Sequence, residues 1–243
     1  MQRYDRLALV CDTPESALGA AALGLLQQGL DPLYTTDAHE ACQLALQEQS
    51  RIAALVVPGA LELSRLDPLL RQIVPRLAGG AAAIVVVAPP RQRSSLVALR
   101  DRGIRWVVWE PYDASELRFA VAAALASGDV LETRRGLRVP LRLPVAIRNA
   151  RLSREGELRN LSVGGAYVAL SEPPESGASL ALEFPIGERM FRTQATVAHS
   201  QCAASDRSAE RGPGMGVAFT GVTPLEARLV EGFVRERVES FRI

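Results

Sequence analysis

Two short runs in the second half of the chain have the residue types and spacing of a site for a planar anion. The first run carries three arginines, at Arg134, Arg135 and Arg138. The second follows the pattern Asn-x-Ser-x-x-Gly, with a glycine also before the last position; its residues are Asn160, Ser162, Gly164 and Gly165. Together the two runs predict a site for a small, doubly anionic ligand with a flat ring system.

The chemistry of these side chains favours a guanine nucleotide. A guanidinium group is flat, permanently charged and forked, so it can pair with a phosphate, stack on a base or bond the O6/N7 edge of guanine. Alternate residues of a strand point the same way, so Asn160 and Ser162 can meet one base edge together. Gly164 and Gly165 lack a Cβ, which permits positive φ and close approach of a ligand to the backbone.

At these residues the chain resembles the PilZ domain, the bacterial receptor module for cyclic di-GMP. The family's binding signature is RxxxR followed by [D/N]xSxxG, and the resemblance extends from about Glu132 to about Phe233. It includes the run Gly214–Phe219, which is similar to the family's late G-x-G-V-x-F strand. The resemblance implies that both motifs bind cyclic di-GMP. Many members carry Asp where this chain has Asn160, whose oxygen is uncharged, so the affinity is left open.

Composition restricts the class of protein. The 243 residues suffice for two modest domains. Positive and negative side chains nearly cancel, 28 against 27, which does not favour nucleic-acid binding. The three cysteines form no disulfide framework, and no apolar run is long enough to span a bilayer. We therefore expect a cytoplasmic protein with no membrane insertion and no signal segment.

The first half alternates apolar runs with helical patterns, which predicts a parallel sheet covered on both faces. We expect a flavodoxin-like doubly wound domain of five strands and five helices over residues 1–127. The predicted strands lie at Leu7–Val10, Leu33–Thr35, Leu55–Val57, Ile84–Val87 and Trp106–Trp109. Helices are predicted from Thr13-Pro14-Glu15 to Gly29, from Ala38 to Gln49, and from a capping box at Asp113 to about Ala126.

This half resembles a response-regulator receiver domain that has lost its chemistry. The third strand ends in Pro58-Gly59, where the family has its phosphoacceptor Asp, and no carboxylate follows before Glu62. Ala88 stands in place of the family's Thr/Ser, and Glu110-Pro111 in place of Lys-Pro. Asp12 alone remains of the acidic pair that would bind Mg²⁺. Since aspartyl phosphorylation needs the nucleophile and the metal ligands together, we interpret residues 1–127 as a pseudo-receiver.

The second half has the short strands and turn signals of a small antiparallel barrel, at residues 128–243. Thr223-Pro224-Leu225-Glu226 predicts a capped C-terminal helix ending near Glu239. We expect its apolar stripe to cover the barrel, with a dimer seam as the alternative; the stripe is Leu225, Leu229, Val230, Phe233 and Val234. The expected strands are 144–147, 157–160, 166–170, 179–184, 191–199 and 215–219, with a polar loop from Gln201 to Pro213.

Other residues that resemble site components are interpreted as structural. His199 and Cys202 lack the further ligands of a zinc site. Ala78-Gly79-Gly80 precedes a strand, whereas phosphate-binding glycine loops follow one. Trp106 and Trp109 are expected to pack beneath a helix, with an exposed partner anchor as the alternative.

These inferences predict a bacterial cyclic di-GMP receptor with no enzymatic activity and no metal cofactor. The pseudo-receiver would dock a protein partner or form a homodimer, through the helices at Arg91–Arg102 and Ala114–Leu125. Resemblance implies an output in motility, biofilm formation, secretion or virulence. The alternatives are a constitutive adaptor with a vestigial site, and a phosphorelay protein or transcription factor. The sequence has neither a phosphoacceptor at the expected position nor a recognisable DNA-reading helix, which argues against a phosphorelay protein or transcription factor.

Overall fold

The chain divides into two compact units, which are described separately. The structure is a computed structural model and describes residues 5–13, 18–48, 51–59, 63–77, 79–90, 96–126, 137–149, 153–202 and 212–243. One unit comprises Met1–Thr133 together with Phe241–Ile243, and the other comprises Arg134–Ser240. The domain boundary predicted at residue 127 falls among residues outside the described ranges, so it stays a prediction.

The first unit contains the predicted doubly wound sheet. Its strands pair in the order β2-β1-β3-β4-β5 and all pairs are parallel, which is the flavodoxin-like order. Both faces are covered, because β1, β3 and β4 are buried along nearly their whole length. The strands are β1 (Arg6–Cys11), β2 (Leu30–Thr35), β3 (Ile52–Pro58), β4 (Ile84–Ala88) and β5 (Trp106–Trp109).

The helices of this unit largely follow the local sequence signals. Asp113 accepts backbone N–H groups of the first turn of α5 and Glu116 bonds back to it, which confirms the predicted capping box. Gly29, at φ 72°, ends the first helical segment, where a residue with a Cβ would be strained. The helices are α1 (Leu18–Ala22), α2 (Ala38–Gln47), α3 (Leu63–Ile73), α4 (Val97–Arg100) and α5 (Ala114–Leu125), with 3₁₀ turns at Leu23–Gln28, Val74–Arg76 and Gly80–Ala83.

The last three residues of the chain pair with the edge of this sheet. Val107 donates its backbone N–H to the carbonyl of Phe241 at 2.8 Å, and Ile243 donates to Arg105 at 3.0 Å. Phe241 is 2% exposed and its ring centroid lies 5.0 Å from that of Phe119 on α5. This short antiparallel segment covers the otherwise open edge strand β5, and the sequence analysis had assigned it to the barrel domain.

The second unit is a closed six-stranded barrel with strand order β10-β11-β8-β7-β6-β9. All six predicted strands are present, and all but β8 are longer than predicted; β8 begins one residue earlier than predicted and ends one residue earlier, at Ala169. Alternate residues point inward, and Phe184 packs there against Phe191 and Phe219, with ring centroids 5.2 and 6.2 Å away. The strands are β6 (Val139–Arg148), β7 (Ser153–Ser162), β8 (Gly165–Ala169), β9 (Ser179–Ile186), β10 (Arg189–Gln201) and β11 (Gly214–Thr220).

A C-terminal helix, α6 (Pro224–Glu239), packs against β6 and β7. Thr223 caps it in a capping box with Glu226, as predicted. Its buried residues are Val230, Val234 and Val238, spaced by four so that they share one face. The prediction that Leu225 belongs to this apolar stripe is wrong, because its side chain is 78% exposed on the first turn.

Candidate functional site

The Asn-x-Ser-x-x-Gly run forms the hairpin that joins β7 to β8. Ser162 pairs with Gly165, and Val163 and Gly164 make the turn between them. Leu158 and Leu161 are fully buried in the barrel. A bulge at Arg159, between the pairs of Leu158 and Asn160, lets Asn160 and Ser162 take the same outer side of the barrel although both leucines point inward.

The arginine run leads directly into the strand beside this hairpin. Arg138 is exposed and immediately precedes Val139, which pairs with Leu161 on β7. Pro140, the next residue, pairs with Asn160. Neighbouring strands lie about 4.8 Å apart, so the fold brings Arg138 beside the Asn160–Ser162 segment. Arg134 and Arg135 lie outside the described residues, and their placement in the site stays a prediction.

Asn160 holds the hairpin in shape through its side chain. Its Oδ1 accepts a hydrogen bond from the backbone N–H of Tyr167 at 3.1 Å, across the β7–β8 pair. The motif predicts that this oxygen faces a ligand. The fold uses it first as an acceptor for the main chain, so Asn160 has a structural role in addition to any role in binding.

Ser162 is likewise bonded within the hairpin. Its side chain is 4% exposed, and its hydroxyl donates to the carbonyl of Gly165 at 3.0 Å. A hydroxyl has one proton to donate and two lone pairs to accept with. With the proton committed to Gly165, Oγ remains chemically suited to accept a hydrogen bond, such as one from the N–H groups of a guanine.

Positive φ, one of the two reasons predicted for the motif glycines, applies to neither of them. Neither Gly164 nor Gly165 is among the glycines with positive φ. A Cβ on Gly165 would overlap the backbone carbonyl oxygen of Val217 on β11, so close strand packing requires glycine there. A Cβ on Gly164 would meet nothing within 4 Å, and its surface is open for a ligand to approach.

An aromatic pair that the sequence analysis did not assign to the site lies next to Asn160. Asn160, Tyr167, Gly216 and His199 form one row across four neighbouring strands, β7, β8, β11 and β10. The rings of Tyr167 and His199 are 6.2 Å apart and inclined by 28°. The G-x-G run on β11 was the available signal, because outward glycines in a strand mark a surface where something packs closely.

An open groove of about 580 Å³ lies elsewhere on the barrel, beside strands β6, β9 and β10. Its lining includes Arg148, Glu183 and Arg192, and Arg192 is paired with Glu183 at 2.8 Å. No residue of either motif lines it. The groove therefore does not enter the site assignment.

The carboxyl edge of the parallel sheet shows how the receiver-like unit uses its remaining acid. Asp12 is 2% exposed; its two oxygens accept from the Tyr34 hydroxyl at 2.7 Å and from the Thr13 N–H at 2.8 Å. Burial, with Glu110 and Asp12 nearby, raises the pKa of Tyr112 to about 12. Burial, with Asp12 next in chain, raises the pKa of the Cys11 thiol to about 11. The hydrogen bond to Asp12 raises the pKa of Tyr34 as well, so Tyr34 meets Asp12 as a neutral hydrogen-bond donor.

Among the residues that the structure describes, no group of three or more His, Cys, Asp or Glu side chains is placed to hold a metal ion. No helix in the same ranges is long and apolar enough to cross a membrane.

The second unit is thus a small closed β-barrel that carries an exposed arginine and a polar hairpin side by side. Comparison with protein families identifies the module: residues 132–236 match the PilZ domain. This match covers most of the barrel unit, Arg134–Ser240, and does not extend over the parallel sheet that precedes it. A comparison with curated proteins finds no match.

Solved structures similar to the chain include PilZ proteins. The structure of the Bacillus subtilis inhibitor of motility MotI/DgrA is 23% identical over 43% of this chain and 51% of that one, with a TM-score of 0.37. The PilZ domain of Escherichia coli YcgR with c-di-GMP is 17% identical over 44% and 93%, also at 0.37. The chain thus covers about half the length of MotI. At these scores the assignment rests on the family match.

Proposed function

We propose that this protein is a receptor for cyclic di-GMP, with the ligand bound at the PilZ motifs. The observation that carries the proposal is the pairing of β6 with β7, which places Arg138 beside Asn160 and Ser162 in a chain segment that matches the PilZ domain. The proposed ligand-binding residues are Arg134, Arg135, Arg138, Asn160, Ser162, Gly164 and Gly165.

Each group has a chemical role in this proposal. Arg138 is exposed and offers a forked donor to a phosphate or to the O6/N7 edge of guanine. The Ser162 hydroxyl donates a hydrogen bond to the Gly165 carbonyl, so its Oγ accepts a hydrogen bond from an N–H group of the base. The open surface at Gly164 lets the ligand approach the turn backbone. Arg134 and Arg135 would supply the remaining positive charge.

We propose that the receiver-like unit passes the signal to a protein partner. The unit has the sheet order and helices of a receiver-like fold. Pro58 occupies the position of a phosphoacceptor, and Asp12 accepts a hydrogen bond from Tyr34. A fold without this chemistry is suited to act through its surface, and the helices α4 and α5 beside β5 are the proposed docking face. The regulated process would be motility, biofilm formation, secretion or virulence, in the cytoplasm.

Isothermal titration calorimetry of the full-length protein with cyclic di-GMP tests the receptor function. We expect saturable binding of cyclic di-GMP and little binding of GMP, which lacks the second base and phosphate. A thermal shift with cyclic di-GMP but not with GMP would support the same conclusion. Absence of binding by the wild-type protein, with the fold intact by circular dichroism, would favour the constitutive adaptor instead.

A further inference from the structure

The outer surface of the barrel next to the hairpin is built to hold an aromatic ring flat against the backbone. Met215 and Val217 of β11 are buried in the barrel, so their neighbours Gly214, Gly216 and Ala218 are on the outside. Both glycines are nevertheless buried. Side chains from the adjacent strands must therefore lie over them.

The rings that cover these glycines belong to Tyr167 and His199. A Cβ on Gly214 would stand 2.7 Å from the hydroxyl oxygen of Tyr167, and a Cβ on Gly216 would overlap the imidazole of His199. Glycine at position 216 thus leaves the space in which the His199 ring lies on β11. Any residue with a side chain at position 216 would exclude the His199 ring from this space.

Tyr167 and His199 differ in what remains accessible. Tyr167 is 4% exposed and donates its hydroxyl to the carbonyl of Gly212 at 3.1 Å, so it is a buried support. His199 is exposed, although one side of its ring lies over Gly216. An exposed ring lying on the backbone presents a π surface on which a base can stack.

This ring lies within reach of a ligand held by the hairpin. Tyr167 connects the two places, because its N–H bonds Asn160 and its ring neighbours His199. Strand β11, over which the His199 ring lies, is separated from β7 only by β8, a distance of about 10 Å. That distance suits a ligand with two purine bases, one at the hairpin and the other on the imidazole.

We propose that His199 is a ligand-contacting residue on which one guanine of the bound dinucleotide stacks, held in position by Tyr167 and made possible by Gly216. This inference rests on the proposed receptor function and adds a residue outside both motifs. It also gives the late G-x-G run a function, namely to seat the ring. A purely structural His199 would fill space over Gly216 without touching the ligand.

Calorimetry of full-length variants with cyclic di-GMP tests the stacking. We expect His199→Ala to weaken binding about five- to hundred-fold, as for other base-stacking rings, and His199→Phe to stay close to wild type. Gln194→Ala, an exposed change on the same strand, is the matched control and should bind as wild type. Wild-type affinity in His199→Ala, or equal weakening by His199→Phe, would overturn the proposal while leaving receptor function standing.

Proton NMR gives a second readout that a space-filling role would not change. The chain has two histidines, so the imidazole Cε1–H signals can be assigned with the His199→Phe variant. A stacked guanine should move the His199 signal upfield and leave that of His39, in the other unit, unchanged. An unmoved His199 signal at saturation would contradict stacking. Failure of the wild-type protein to bind would remove both this inference and the receptor function.

Discussion

The side-chain oxygen of Asn160 accepts a hydrogen bond from the backbone N–H of Tyr167 at 3.1 Å, so a proposed ligand-binding residue also holds two strands of the barrel together. The bond joins the middle of the binding motif to a buried aromatic residue of the next strand. The proposed contact with the ligand and the stability of the hairpin therefore depend on the same side chain, and substitutions must be chosen to separate the two effects.

We expect Asn160→Ala to lower both affinity and stability, because the Tyr167 N–H loses its side-chain acceptor at a half-buried place. The cost in unfolding free energy should be about 1 kcal/mol, the typical net value of one hydrogen bond. Asn160→Asp is the matched variant, since it keeps an acceptor and should keep the stability. Urea denaturation measures this difference, and equal stability of Asn160→Ala and wild type would contradict it.

Arg138→Ala should weaken cyclic di-GMP binding and leave stability unchanged, since the side chain is exposed. The expected loss is about 1–3 kcal/mol if the guanidinium forms a bidentate pair with guanine. Arg138→Lys should recover only part of the affinity, because an ammonium lacks the fork. Arg189→Ala removes the same charge from another exposed barrel position and serves as the control in calorimetry at matched salt. Unchanged affinity in Arg138→Ala would exclude this arginine from the site.

Alanine should destabilise the protein at Gly165 and leave its stability unchanged at Gly164. At Gly165 the new Cβ would overlap the Val217 carbonyl, so β8 and β11 must separate, at a cost of about 1–3 kcal/mol. The Cβ of Gly164→Ala meets open space, so this variant should have the wild-type melting temperature. A loss of affinity in it would therefore show that the new methyl group collides with the ligand. Differential scanning calorimetry compares the two variants. A Gly165→Ala protein as stable as Gly164→Ala would show that the strand contact is not limiting.

The C-terminal tail should stabilise the receiver-like unit rather than the barrel. Phe241 is buried against Phe119, so Phe241→Ala should cost about 3–5 kcal/mol, the range for a buried aromatic residue. The Arg242 guanidinium lies 5.4 Å from the Trp106 ring centroid, and Arg242→Ala should lower the unfolding free energy by only about 0.5–1 kcal/mol. Fluorescence of the two tryptophans, both in this unit, follows its unfolding. Equal effects of the two variants would contradict the assigned packing.

The receiver-like unit should take no phosphoryl label from acetyl phosphate. Pro58 ends β3, and Asp12 is covered by Tyr34 and bonded to the Thr13 N–H. Tyr34→Phe removes the covering hydroxyl and should still give no label, because a nucleophile is lacking at the strand end. Mass spectrometry of the intact protein detects the added mass. A stable acyl phosphate in this unit would refute its interpretation as a pseudo-receiver.

Local signals in the sequence determined most of the architecture. Apolar runs predicted β1, β3, β4 and β5, since a strand buried on both faces must be apolar throughout. The signal for β2, which contains Asp31 and Pro32 and is largely half-buried, was weaker, and the strand begins three residues before its predicted start at Leu33. Capping boxes located the starts of α5 and α6, because their hydrogen bonds lie within four consecutive residues. The PilZ motifs, read as residue types in order, identified the barrel that the family match confirms.

Only the tertiary structure decided which contacts those residues make. Gly165 is required by Val217, far away in sequence, and His199 lies on Gly216 because β10 and β11 are neighbours in the barrel. The assignment of Phe241–Ile243 to the first unit depends on an open edge at β5, which no local pattern reveals. Sequence periodicity records which side of an element is apolar. The partner on that side is chosen by strand order and register, which are properties of the whole fold.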